Sequence, residues 1–222
     1  MRHLLFMSAL GSFLSALLTP FALCAQLSWS GGLVLGTNLS STRTELEGFS
    51  NKDKFGYVIG LRLGCHPGDR LLIQAEALLE RKGSRMEVLL EGEGGVPSKA
   101  LAKNHFDYLV FPLTVQWRFG HGNFRYGPYA GGFVAKLIRE TNTLQQGRNF
   151  ISSAENTTLF RQSDAGVIAG FGADWALGKT LAFTLEARYN LSLTSHLPEF
   201  STIESNHQSL ALMAGMRFIL GQ

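Results

Sequence analysis

The stretch Leu181-Ala-Phe-Thr-Leu-Glu-Ala-Arg-Tyr-Asn-Leu-Ser-Leu193 decides the fold. Leu181, Phe183, Leu185, Ala187, Tyr189, Leu191 and Leu193 share one parity, and Thr184, Glu186, Arg188, Asn190 and Ser192 share the other. An alternation of period two belongs to a β-strand with one apolar and one polar face; a helix would scatter the same residues around its circumference.

The same test recovers companions on both sides. Leu210, Leu212, Ala214, Met216, Phe218 and Leu220 form an apolar face with Arg217 opposite, and Leu109, Phe111, Leu113, Val115, Trp117 and Phe119 alternate with Pro112, Thr114, Gln116 and Arg118. Tyr57, Ile59, Leu61, Leu63 and Cys65 face away from Arg62, and Ile73, Ala75, Ala77 and Leu79 face away from Gln74, Glu76 and Glu80. Three segments rich in glycine, Leu27 to Thr37, Arg125 to Arg139 and Ser163 to Leu177, complete a set of about eight strands. The expected fold is all-β, a closed antiparallel up-and-down transmembrane barrel.

Connections of two kinds alternate along the chain. His66-Pro67-Gly68-Asp69, Gly120-His121-Gly122-Asn123 and Leu177-Gly178-Lys179 have the composition of tight turns. Between them lie long polar stretches: Asn38 to Lys54, Gly83 to Phe106, Glu140 to Gln162 and Thr194 to His207. Minimal turns on the periplasmic side and longer loops outside are the asymmetry of a membrane barrel. Segments of roughly 11 residues, tilted about 40°, cover an apolar band of about 25 Å. Trp29, Tyr57, Phe106, Tyr108, Trp117, Phe119, Tyr126, Trp175 and Tyr189 near strand ends suit interfacial girdles.

The 222 residues, 45% hydrophobic and 17% charged with a formal charge of +3, exclude a disordered chain. Cations and carboxylates are interspersed without a basic stripe, so no nucleic-acid partner is expected. Residues 1–25 have the layout of a secretory signal peptide: a basic start at Arg2 and His3, an apolar run from Leu4 to Leu23 and a break at Pro20. Cleavage after Ala25 would leave a barrel domain of residues 26–222. An uncleaved anchoring helix and acylation at Cys24 are the other two readings of this segment. Cys65 then has no cysteine partner and acts as a small hydrophobe.

A soluble, lipocalin-like barrel has the same alternation with its polarity reversed, and periodicity does not separate the two. The membrane polarity is favoured because the polar face carries both signs of charge on adjacent strands. Arg62, Arg118, Arg188 and Arg217 could then pair inside a narrow lumen with Glu76, Glu80, Asp174 and Glu186, closing it to solutes.

Several motifs in order carry a family resemblance: Gln74-Ala75-Glu76 before Arg81-Lys82-Gly83, then Tyr108-Leu109-Val110-Phe111-Pro112-Leu113, then Tyr126-Gly127-Pro128-Tyr129-Ala130-Gly131-Gly132. Gly166 to Gly172, Leu185-Glu186-Ala187-Arg188-Tyr189 and Gly215-Met216-Arg217-Phe218 extend it. The chain resembles the outer membrane β-barrel family often labelled porin-like, in its Bacteroidota versions. The resemblance implies a small eight-stranded barrel of the OmpA type, with no shared catalytic residues. The chain departs from many such barrels in ending Phe218-Ile219-Leu220-Gly221-Gln222 rather than on an aromatic residue.

Other motifs have plain readings. His66, His105, His121, His196 and His207 lack zinc-like spacing, and no metal or cofactor is expected. Ser195, His196 and His207 with Glu199 or Glu204 could supply the nucleophile, base and acid of a barrel lipid hydrolase, although their spacing does not bring them together. Gly170-Phe171-Gly172 suits barrel packing, Gly92-Glu93-Gly94-Gly95 a loop, and the sequons at Asn38 and Asn156 chance. The expected function is a non-enzymatic protein of the bacterial outer membrane, in contact with outer-membrane lipid, the barrel insertion machinery and a surface ligand at its loops. A small-solute pore and a lipid-modifying enzyme are the alternatives.

Overall fold

A computed structural model describes residues 28–44, 54–91, 97–146, 149–155, 162–194 and 205–220. The expected signal peptide, Gly92 to Gly95, Asn156, Ser195, His196, Glu199 and Glu204 lie outside the described residues. The strands are β1 (Ser28–Thr44), β2 (Lys54–His66), β3 (Leu71–Glu91), β4 (Pro97–Trp117), β5 (Phe124–Gln146), β6 (Asn149–Glu155), β7 (Ser163–Ala176), β8 (Leu181–Ser192) and β9 (Ser205–Leu220).

Every ladder is antiparallel. The ring runs β1, β2, β3, β4, β5, β7, β8, β9 and closes where β9 pairs with β1, from Trp29↔Leu220 to Thr44↔Ser205. Eight strands therefore make a closed barrel, which leaves no sheet edge inside the wall. The ninth, β6, stands outside the ring: β7 follows β5 as far as Lys136↔Ser163, and β6 takes over beside β5 at Thr141↔Glu155.

That hairpin corrects the expectation of a plain loop between Glu140 and Gln162. The stretch from Gly83 to Phe106 departs similarly, since the β3–β4 ladder continues to Glu91↔Pro97. Alternation marks a strand only where its two faces meet different surroundings. A ladder held by backbone hydrogen bonds continues without that mark once the chain leaves the wall. The short connections fall where composition puts them. Gly68 and Gly122, with φ of 129° and 64° and open space around them, supply the left-handed backbone that two of the tight turns require.

Polarity settles the choice that periodicity leaves open. Leu61, Leu113, Val134, Leu185 and Leu212 all point outward with more than half their surface bare, while Arg62, Glu76, Glu186 and Arg188 point inward and are buried. A soluble barrel would reverse this, and the exposed belt has the polarity of a wall standing in hydrocarbon. Trp29, Trp117, Phe119, Phe124, Tyr126 and Trp175 crowd the outer face at the end with the short turns, where Phe124 lies 5.5 Å from Tyr126 and 6.1 Å from Trp175 between ring centroids. Two expected girdle residues are not there. Phe106 and Tyr108 share the parity of Thr114 and Gln116, and both are buried inside the barrel.

An extra residue interrupts β5. Asp107 pairs with Arg139 and Tyr108 with Leu137, so Ile138 and Arg139 both face outward and Glu140 turns in. This is a β-bulge.

The belt makes a depth-dependent prediction. Leu185→Arg, near mid-height on β8, is expected to destabilise the barrel by about 2–4 kcal/mol, and Leu220→Arg, at the end of β9, by about 1 kcal/mol or less. Urea unfolding of the chain in lipid vesicles measures both.

Candidate functional site in the barrel lumen

In a ring of eight strands β3 and β8 stand opposite one another, with three strands between them on either side. Glu76 on β3 and Arg188 on β8 nevertheless meet directly, Arg188 Nη2 lying 2.6 Å from Glu76 Oε2. The side chains are long enough, and the cylinder narrow enough, for one ion pair to cross the full diameter.

The middle tier builds on that pair. Arg62 on β2 donates from Nη1 to Glu186 Oε1 at 2.6 Å and to Thr184 Oγ1 at 3.1 Å, and its Nη2 lies 3.3 Å from Glu76 Oε1. Arg188 Nη2 is also 3.4 Å from Glu186 Oε2, and Arg188 Nε donates to the Tyr129 hydroxyl at 3.2 Å. Two guanidinium groups thus face two carboxylates, and the tier is neutral as a unit. All four side chains are nearly inaccessible; Arg188 is 1% exposed. Gly32 gives this tier room. It stands in register with Arg62 on one side and Arg217 on the other, and a methyl group there would fall 3.2 Å from Arg62 Cγ and 3.3 Å from Arg217 Cα. At Gly170 a methyl would run into the Tyr129 ring, so that glycine makes room inside the barrel.

A lower tier lies toward the short turns. Arg217 pairs with Asp174, and Arg118 Nη1 lies 3.9 Å from the same carboxylate. Gln74 joins the two tiers: its Oε1 accepts from Arg217 Nη2 at 2.8 Å, and its Nε2 donates to Glu76 Oε1 at 3.0 Å. Beyond Arg217 opens a cavity of about 490 Å³, lined among others by His66, Asp69, Arg118, Arg125, Asp174 and Lys179. The lining stops at Asp174 and Arg217 and includes no residue of the middle tier.

The upper lumen differs from the expected all-polar interior. Val58, Leu78, Phe106, Tyr108, Val110, Phe133, Ile168 and Met213 form an apolar cluster there. Glu80 belongs to this region and, among the described residues, pairs with no arginine. It accepts from Asn38 Nδ2 at 2.7 Å and Ser209 Oγ at 3.3 Å and lies 3.7 Å from Lys82 Nζ. Lys82 shares the inward parity of Glu76 and Glu80, and its ammonium also lies over the Tyr108 and Phe133 rings at 5.4 and 5.1 Å. Asn38 faces the lumen, which removes its sequon from the surface. A second carboxylate of the upper lumen, Asp164, takes hydrogen bonds from Ser192 and from Thr194 Oγ1, the latter at 2.7 Å.

Sequence reasoning missed Gln74, Tyr129, Thr184 and Asn38 as members of the network. Gln74 and Thr184 have inward parity two residues from a named charge, which is the signal that could have found them; Tyr129 and Asn38 lie in glycine-rich strands with no named charge beside them. Among the described residues no cluster of His, Cys, Asp and Glu has the arrangement of a metal site. His66 shares a hydrogen bond of 2.9 Å with Ser30 and lies in the lower cavity, while His121 is exposed in a turn.

Residues 24–197 match the family model described as outer membrane protein beta-barrel domain. No curated protein matches the chain. Among solved structures it is similar to Ail, the attachment invasion locus protein of Yersinia pestis, in complex with a heparin analogue, at 15% identity over 86% of this chain and 99% of that one with a TM-score of 0.41. The outer membrane protein OprG from Pseudomonas aeruginosa is similar at 15% identity over 88% and 96%, with a TM-score of 0.42. The outer membrane protease OmpT from Escherichia coli is similar at 10% identity over 87% and 97%, with a TM-score of 0.47. These likenesses are loose, and no activity is carried across them.

The middle tier predicts an unequal response to charge removal. Glu76→Gln keeps the shape of the side chain but leaves Arg62 and Arg188 with one buried carboxylate between them, an expected loss of about 3–5 kcal/mol. Arg81→Gln, which breaks a half-exposed pair with Asp107, is expected to cost about 1 kcal/mol or less. Equilibrium unfolding in vesicles compares the two variants.

Proposed function

The chain belongs to the family of outer membrane protein beta-barrel domains, and from that premise we propose a non-enzymatic barrel of the bacterial outer membrane whose lumen is closed and whose projecting hairpins form its recognition surface. The observation that carries this reading is the ion pair between Arg188 and Glu76 across the full diameter. An open channel needs a continuous aqueous path, and at this height the cross-section is filled by two guanidinium groups and two carboxylates bonded to one another. The apolar cluster above adds a second barrier, since Phe106, Tyr108 and Phe133 fill the lumen between the middle tier and the hairpins.

The barrel is then a scaffold. Its short turns tie strands together on the periplasmic side, while β3–β4 and β5–β6 continue as paired ribbons on the other. Such ribbons hold the connections at their tips away from the membrane, where a surface ligand or another envelope component can reach them. Within this reading the lumenal charges serve stability and closure; no substrate approaches them.

Single-channel recording in planar bilayers tests closure. The purified chain is expected to give no openings, whereas Glu76→Ala combined with Arg188→Ala, which removes the crossing pair without leaving either charge alone, is expected to admit small ions. Steady conductance from the unaltered protein would favour the small-solute pore and overturn the closed reading.

A further inference from the structure

The short turns and the strand ends beside them converge on the cavity of about 490 Å³ beyond Arg217. The first turn contributes Asp69, the second Asn123 and the third Lys179, while Arg118 follows β4, Arg125 stands at the start of β5 and Ser28 opens β1. Among the described lining residues the formal charges are those of Arg118, Arg125, Lys179 and Arg217 against those of Asp69 and Asp174. Four cations therefore face two carboxylates.

Asp174 and Arg217 satisfy one another, and Arg217 also holds Gln74. The other cations are less fully engaged. Arg118 Nη1 lies 3.9 Å from Asp174, beyond hydrogen-bond reach, and the buried Arg118 Nε has no hydrogen-bond partner. Arg118 also stands within the fields of two further arginines, Arg217 and Arg125. Arg125 donates from Nη1 to the backbone carbonyl of Asp69 at 3.1 Å, a neutral acceptor that leaves its charge unbalanced. Lys179 is exposed in its turn.

A buried guanidinium nitrogen without an acceptor is costly until an acceptor reaches it. A phosphomonoester carries close to two negative charges at neutral pH and presents three acceptor oxygens to convergent guanidinium and ammonium donors. That charge matches the surplus of the lining, and the volume falls within the roughly 300–1,000 Å³ of small-molecule sites. We propose that the mouth of the barrel at the short-turn end binds a small phosphomonoester, its phosphate held by Arg118, Arg125 and Lys179 and its esterified group beside Ser28 and Asn123. The ligand is held and not transformed, and it has no need to pass the middle tier. The site is separate from the hairpins and requires only that this end of the barrel open to water.

Isothermal titration calorimetry of the full chain in phosphatidylcholine nanodiscs at low salt tests the site, with glycerol phosphate as the probe and glycerol as the neutral comparison. Glycerol phosphate is expected to bind, inorganic phosphate to displace it, and glycerol to give no binding. Arg118→Gln combined with Arg125→Gln is expected to weaken binding by roughly tenfold or more. Asp69→Asn, which removes an exposed carboxylate and keeps the carbonyl that Arg125 uses, is expected to strengthen it, and Arg81→Gln on the outer face to leave it unchanged. Binding by the double variant equal to that of the unaltered chain would overturn the proposal, as would an equal loss with Arg81→Gln. Equal affinity of the unaltered chain for glycerol and glycerol phosphate, or binding of neither, would overturn it too, and this arm does not depend on any variant folding. Equal affinity for glycerophosphoglycerol, a phosphodiester, would replace the monoester site with one for a lipid headgroup.

Discussion

No water is available inside a bilayer to satisfy a backbone N–H or C=O, so a sheet that crosses one must pair every strand on both sides. In this chain the requirement is met by the long ladder between β1 and β9, which joins the first described strand to the last. Much of the rest follows from closure. Side chains of one parity project into lipid and are apolar, those of the other are forced into a narrow cylinder, and polar groups that enter it must satisfy one another. The ionic tiers are therefore a consequence of closing a small ring as much as a device added to it.

The two ends of the lumen solve the filling problem differently. At the middle and lower levels, four arginines share Glu76, Glu186 and Asp174, with the neutral amide of Gln74 carrying hydrogen bonds from one level to the next. Higher up, rings and aliphatic side chains take over, and two of the carboxylates there, Glu80 and Asp164, are held mainly by hydroxyl and amide groups. Buried charge is tolerated where partners can be packed close on several sides, and a partly satisfied network would cost more than an apolar filling.

Parity made most of this legible before any coordinates. The strand from Leu181 to Leu193 alternates so cleanly that its faces could be assigned from the residues alone, and the lumenal parity of Arg62, Glu76, Arg188 and Arg217 follows by the same rule. Partner choice was not legible, because parity says which face a residue occupies and nothing of which strand stands across the lumen. Glu80 illustrates this: its nearest cation is Lys82, two residues along its own strand. Phe106 and Tyr108 were misplaced by treating proximity to a strand end as decisive over parity. The extended hairpins were missed for a different reason, since alternation fades where neither face meets lipid and the β-ladder itself has no sequence period.

The bulge on β5 sets the phase of everything beyond it. Below Ile138 odd-numbered side chains point inward, and beyond it even-numbered Glu140 does. A one-residue insertion or deletion elsewhere in a strand would turn the remainder inside out, with leucines in the lumen and carboxylates in lipid. Here such an offset is already absorbed at one point, at the boundary between the wall and the projecting ribbon. The ribbon can therefore change length over generations without disturbing the frame of the strand beneath it, which places evolutionary freedom beside, and outside, the part that must stay sealed.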